Sequence, residues 1–109
     1  GVVGQNQLRQ QVSRTVDDYL TALRDQEWGT AYDLTCARLR DAQTLDEFAR
    51  SRAGQPRFVS WTSGDTEFAS DGYRQPVQIE DENGATQDLT FRVVEEGAGS
   101  DLKVCGTEQ

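Results

Sequence analysis

An Asn-Gly pair, Asn83-Gly84, lies between two runs of alternating apolar and polar residues, and this stretch, residues 73–94, fixes most of what the chain can become. Tyr73, Val77 and Ile79 alternate with polar neighbours before the pair, and Leu89, Phe91 and Val93 do so after it. Asn-Gly is the strongest short-range hairpin signal, because a type I′ turn needs positive φ at both central residues. The spacing predicts two antiparallel strands with one apolar and one wet face. That apolar face has to be covered, and the first half of the chain supplies helices to do it.

Leu8, Val12, Val16, Tyr19, Leu20 and Leu23 recur at steps of three and four, which predicts an amphipathic helix of about five turns. Asp25-Gln26-Glu27-Trp28-Gly29 breaks that pattern. A second helix is expected over residues 30–39, with Ala31, Leu34 and Leu39 inward. Thr44-Leu45-Asp46-Glu47 has the capping-box form and predicts a third helix ending before Gly54, with Leu45, Phe48 and Ala49 inward. From residue 57 the period becomes two. Phe58-Val59-Ser60-Trp61-Thr62 reads as a first strand that continues past a bulge at Gly64 to Phe68. The hairpin follows, then a loose turn over residues 96–100 and a last strand over 101–106. Pro76 cannot donate to a ladder, so it predicts an edge position or a bulge. The expected core comprises Leu8, Val12, Val16, Leu20, Leu23, Leu34, Phe48, Val77, Ile79, Leu89, Phe91 and Val93. Residues 1–6 read as a linker or remnant and residues 7–109 as a single α+β domain: three helices, then four antiparallel strands.

The chain of 109 residues carries 11 basic and 19 acidic side chains and no His, a net charge of −8. The imbalance is local: residues 65–109 hold eleven of the acidic and three of the basic groups, and residues 1–64 are neutral. Such a surface disfavours nucleic acid and anionic membranes and suits solvation or a basic protein partner. No apolar run is long enough to span a bilayer. The glycines of Gly1-Val2-Val3-Gly4 and the lack of an initiating Met suggest a trimmed chain, compatible with a removed signal or anchor helix.

Most chemistries lack their residues. Without His, no Ser/His/Asp or Cys/His arrangement can be built. Lys103 is the one Lys and follows no phosphate-binding loop. Glu80-Asp81-Glu82-Asn83-Gly84 and the group Asp65, Glu67 and Asp71 lack the alternating ligands and distal Glu of a calcium loop, so no metal and no cofactor is expected. Two cysteines, Cys36 and Cys105, are too far apart for a C-x-x-C motif and too few for zinc. Two readings remain for them: buried free thiols, or one disulfide between helix and sheet. A bridge would stabilise by about 4 kcal/mol and would point outside the cytoplasm. Strict alternation from Leu102 and Val104 places Cys105 on the opposite face, unless a bulge or strand end falls at Gly106.

Trp28-Gly29-Thr30-Ala31-Tyr32-Asp33-Leu34 opening the second helix, and Leu102-Lys103-Val104-Cys105 closing the sheet, resemble the nuclear-transport-factor-2-like superfamily. Within it, the chain is most similar to extracytoplasmic domains of actinobacterial, mycobacterial-type lipoproteins and membrane proteins. Those domains pair a Cys after the second helix with a Cys in the last strand, so the resemblance implies a Cys36–Cys105 disulfide. An aromatic residue usually precedes their final Lys-Val-Cys, where this chain has Leu102. The resemblance also implies a cone, with a long helix in a strongly curved four-stranded sheet, a pocket, and often a homodimer through the sheet. Enzymes of the superfamily pair a pocket Asp with a Tyr or Asp oxyanion donor. Tyr19, Tyr32 and Tyr73 could line such a cone, Asp17, Asp18 or Asp33 could reach it, and Trp28 or Trp61 could stack a ligand. Asp17 and Asp18 fall on the polar side of the first helix, no Asp has an inward position, and the pocket candidates are Tyr19, Tyr32, Asp33 and Trp61. The resulting expectation is a non-enzymatic cell-envelope domain, tethered by a segment absent from this chain. It would bind a small apolar ligand in the cone or an envelope partner through the acidic sheet. The alternatives are a small acid–base enzyme using Tyr19, Tyr32 and Asp33, and a structural dimerisation module.

Overall fold

A computed structural model describes residues 2–97 and 101–108, with the side chains of residues 2–6 outside the description. Among the described residues, four helices precede five strands: α1 (Val2–Arg24), α2 (Trp28–Asp33), α3 (Ala37–Ala42), α4 (Leu45–Ala53), β1 (Phe58–Ser63), β2 (Glu67–Ala69), β3 (Gly72–Asp81), β4 (Thr86–Glu96) and β5 (Asp101–Glu108). The fold is α+β, with the helices packed on one antiparallel sheet of order β1-β3-β4-β5, and β2 also pairs with β3. The sheet is not strongly curled, which corrects the expected cone. Its central pair runs in unbroken register from Tyr73↔Val93 to Glu80↔Thr86, so no bulge bends the middle of the sheet. Residues 98–100 of the expected loose turn lie outside the described residues.

The stripe on α1 does what its period requires. Val12, Val16, Tyr19, Leu20 and Leu23 are buried against Val77, Ile79, Phe91, Val93 and Val104 on the inner face of the sheet. Leu8, Leu34 and Leu89 are half-buried at the margins. The helix begins at Val2, so the stretch expected as a linker supplies its first turns. It stops where Gln26 takes positive φ, with the Gln26 amide on the Leu23 carbonyl and the Glu27 amide on the Ala22 carbonyl. This is a Schellman termination with Gln in the place usually held by Gly.

Four local expectations need correction. The helix expected over residues 30–39 is two short helices, because the chain leaves helical geometry at Leu34–Cys36 to pair with β5. The amide of Val104 donates to Leu34 O at 2.7 Å, and that of Cys36 donates to Val104 O at 2.9 Å. On α4 the capping box forms, but Leu45 points to solvent and the inward residue of its first turns is Phe48. The hairpin turn is wider than type I′. Only Gly84 takes positive φ, the Gly84 amide donates to Asp81 O, and the Asp81 carboxylate accepts from the Asn83 and Ala85 amides. The last correction concerns Pro76, which lies in a central strand. The irregularity is on its neighbour: β1 and β2 form one interrupted edge, and the gap between them faces Pro76.

The gap is closed by Gln75, which is fully buried. The Gly64 amide donates to Pro76 O, but Pro76 has no N–H to return to Gly64 O. Gln75 Nε2 donates to Gly64 O instead, at 2.8 Å, while Gln75 Oε1 accepts from the buried Thr66 hydroxyl. A side chain thus replaces the missing ladder bond.

The disulfide joins Cys36 and Cys105 across a separation of 69 residues. The objection from alternation is removed by a bulge. Between the pairs Val93↔Val104 and Phe91↔Thr107, β5 has one residue more than β4, and Gly106 sits there at φ +111°. Val104 and Cys105 are consequently both buried.

Two outcomes follow for stability. Gln75→Leu leaves the Gly64 carbonyl unpaired and the Thr66 hydroxyl with only the long bond to Arg9 O, and urea denaturation is expected to show a loss of about 1–3 kcal/mol. Replacing both cysteines by Ser is expected to lower the stability of the oxidised protein by about 4 kcal/mol, read from the same denaturation curves.

Candidate functional site

A cavity of about 150 Å³ lies between the C-terminal half of α1 and the sheet, under α3 and α4. Leu23, Phe58, Leu89, Phe91 and Val104 supply apolar walls, and Leu39 of α3 closes one side. Each is placed by the local geometry already described. Leu23 continues the α1 stripe, and Phe58 turns inward where β1 carries an extra residue opposite β3 between Phe58 and Ser60. Thr107 and Gly106 enter the lining through the β5 bulge. Among the described residues, no carboxylate lines the cavity.

Tyr19, Arg52 and Thr107 are the polar residues of its lining. Tyr19 packs edge-on against Phe91, with ring centroids 6.1 Å apart, and is 9% exposed. Burial pushes its phenol above the ordinary value of 10.0, and the Arg52 charge pulls weakly the other way. The Tyr19 hydroxyl has no hydrogen-bond partner among the described residues. Arg52 stands on the inner side of α4, one turn beyond Phe48. Its guanidinium lies 4.9 Å from the centre of the Phe58 ring, and Nη1 donates to Gln55 Oε1 at 3.1 Å.

The other three candidates lie elsewhere. The Tyr32 hydroxyl is 2.7 Å from Gln43 O and 2.9 Å from Arg40 O, so its proton is committed to the α3–α4 connection. Its ring packs on Phe48. Asp33 is exposed on a shallow outer groove with Asp18, Glu27 and Lys103, and its carbonyl accepts from Lys103 Nζ at 2.8 Å. Trp61 donates from Nε1 to Asp17 at 2.8 Å, with Arg24 over its ring. The structure therefore brings Tyr19 to the cavity and leaves Tyr32, Asp33 and Trp61 in bracing or surface roles. Arg52 was legible in principle: Phe48, Ala49 and Arg52 share the three-and-four spacing that marks an inward face.

The wet face of the sheet carries its own charge arrangement. Arg74 and Arg92 are directly opposite on β3 and β4, an unfavourable like-charge pair. Asp71 accepts from both, at 3.0 and 3.1 Å, and Glu108 lies 3.3 Å from Arg74. The two guanidinium groups hold the Asp71 carboxyl below its usual range, the Arg74 hydrogen bond contributing most. Among the described residues, no cluster of His, Cys, Asp and Glu is arranged to hold a metal ion, and no helix is long and apolar enough to cross a membrane.

No family model, no curated protein and no solved structure matches the chain.

The buried phenol sets a pH dependence. The unfolded chain releases the Tyr19 proton near 10, whereas the folded chain holds it to higher pH. The stability from this group is whole below that pH and is lost as pH rises from there through the folded value. Tyr73, whose hydroxyl donates to Glu95, is shifted the same way by that bond. Tyr19→Phe is expected to flatten part of the alkaline decline in urea midpoints measured from about pH 8 to about pH 11, leaving the Tyr73 share.

Proposed function

We propose that this is a non-enzymatic binding domain of the nuclear-transport-factor-2-like type, working outside the cytoplasm and held at the cell envelope by a segment beyond this chain. Its task is to bind a small, largely apolar ligand in the cavity between α1 and the sheet. The cavity carries the reading: about 150 Å³ of space remains between α1 and the sheet, against the apolar walls of Leu23, Phe58, Phe91 and Val104. Interiors are otherwise close-packed, and an unfilled apolar cavity costs stability. A cavity of this size can admit a benzene-sized guest.

The other readings have less behind them. An acid–base enzyme needs a base at the cavity, and the lining offers none. Tyr32 and Asp33 are engaged or exposed away from it. A dimer through the sheet would need an apolar outer face, but Arg74, Gln78, Glu80, Asp88 and Arg92 stand there, with Asp71 and Glu108 paired to the arginines. A basic envelope partner at the acidic hairpin, residues 80–82, is compatible with ligand binding. The extracytoplasmic placement is supported by the disulfide, which persists in oxidising compartments.

Toluene is the simplest probe. Saturating toluene is expected to raise the unfolding midpoint by mass action. Leu39→Trp, which fills the cavity from α3, is expected to abolish that rise while changing the stability of the free protein by no more than about 1 kcal/mol. A midpoint indifferent to toluene in the parent protein would remove the binding reading.

A further inference from the structure

The cavity is not uniformly apolar, and Tyr19 and Arg52, the two larger of its polar residues, constrain the guest. Tyr19 is largely buried, and its hydroxyl has no protein partner among the described residues. A neutral hydrocarbon would leave it so, at the cost of an unmade hydrogen bond. Arg52 brings a positive charge to the same lining, and its resolved polar partner is the neutral amide of Gln55. None of the described ion pairs involves Arg52. A cationic guest would meet the guanidinium charge. An alcohol or amide would satisfy Tyr19 and leave that charge unanswered. A carboxylate answers both: it accepts from the phenol and from the guanidinium, and such charge-assisted bonds are about twice as strong as neutral ones. The walls limit the remainder of the guest to a body of about benzene size.

We propose that the cavity is a site for small apolar monocarboxylates, with the ring or short branched chain against Leu23, Phe91 and Val104 and the carboxylate held by Arg52 and the Tyr19 hydroxyl. This assignment rests on the binding reading above and adds the chemical class of the ligand. Tyr19 supplies a proton donor and Arg52 the charge. Both stand on helices, α1 and α4, while the apolar contacts come mainly from the sheet, so the two ends of the guest are read by different layers of the fold.

The test is a titration of the ¹⁵N-labelled, disulfide-intact protein near neutral pH with benzoate, benzyl alcohol and benzylamine in turn. Benzoate is expected to bind at least about tenfold more tightly than benzyl alcohol, the difference one charge-assisted bond supplies, and benzylamine most weakly. The shifted amides should centre on Leu23, Phe91 and Val104. Arg52→Gln should abolish the preference for benzoate while benzyl alcohol still binds, and Arg52→Lys should keep part of it. Tyr19→Phe should weaken benzoate by a smaller factor. Equal affinities for benzoate and benzyl alcohol, or a preference surviving in Arg52→Gln, would overturn the carboxylate assignment and leave the cavity reading standing. Cavity amides that respond to none of the three probes would overturn both.

Discussion

The fold depends on a stitch between Leu34–Cys36 and the edge strand β5. Two backbone hydrogen bonds, which make a parallel bridge at Thr35↔Val104, and the Cys36–Cys105 disulfide converge there within three residues. Neighbouring bonds widen it: Lys103 Nζ reaches Asp33 O, and the Glu96 carboxylate accepts the Ala37 amide at 2.7 Å. The stitch covers an otherwise open sheet edge, a position prone to pairing with other chains. It also decides where α3 and α4 go. Since α3 begins directly after Cys36, the same junction that seals β5 sets the roof of the cavity, with Leu39 on one helix and Arg52 on the next.

A second constraint lies at the opposite edge. Pro76 removes a donor from the middle of the sheet, and the chain responds by splitting the neighbouring strand and burying Gln75 in the gap. A buried amide is stable only when its donors and acceptors are paired, and here Gly64, Thr66 and the Pro76 carbonyl pair them. The inner face of β3 therefore reads Tyr73, Gln75, Val77, Ile79: an apolar series with one polar member that repairs the ladder.

What could be read from the sequence was whatever depends on period. The α1 stripe, the alternation on β3 and β4 and the capping box of Thr44 and Glu47 are local patterns, and each is present. Features set by distant partners were not legible. The break in the helix after Asp33 answers to the amide of Val104, seventy residues on, and no property of residues 30–39 announces it. Sheet curvature likewise depends on where bulges fall among paired strands, so the family-like cone expected from the resemblance gave way to a flatter sheet. Tyr19 lines the cavity because it lies on a strong helical stripe, whereas the places of Tyr32 and Asp33 are fixed by Gln43, Arg40 and Lys103, which no local pattern reveals. Arg52 was overlooked because a charged residue near a helix end reads as solvated, although its spacing from Phe48 puts it inside.

The proposal that joins these features is that the space of about 150 Å³ between α1 and the sheet is the place of a guest. Xenon measures that most directly, because it enters apolar cavities of this size without needing any polar partner. A crystal of the protein pressurised with xenon is expected to show one strong site bounded by Tyr19, Phe91 and Val104, with the surrounding side chains unmoved. A crystal in which that space is closed by Leu39 or Phe58, or held by ordered water that xenon does not displace, would contradict the account.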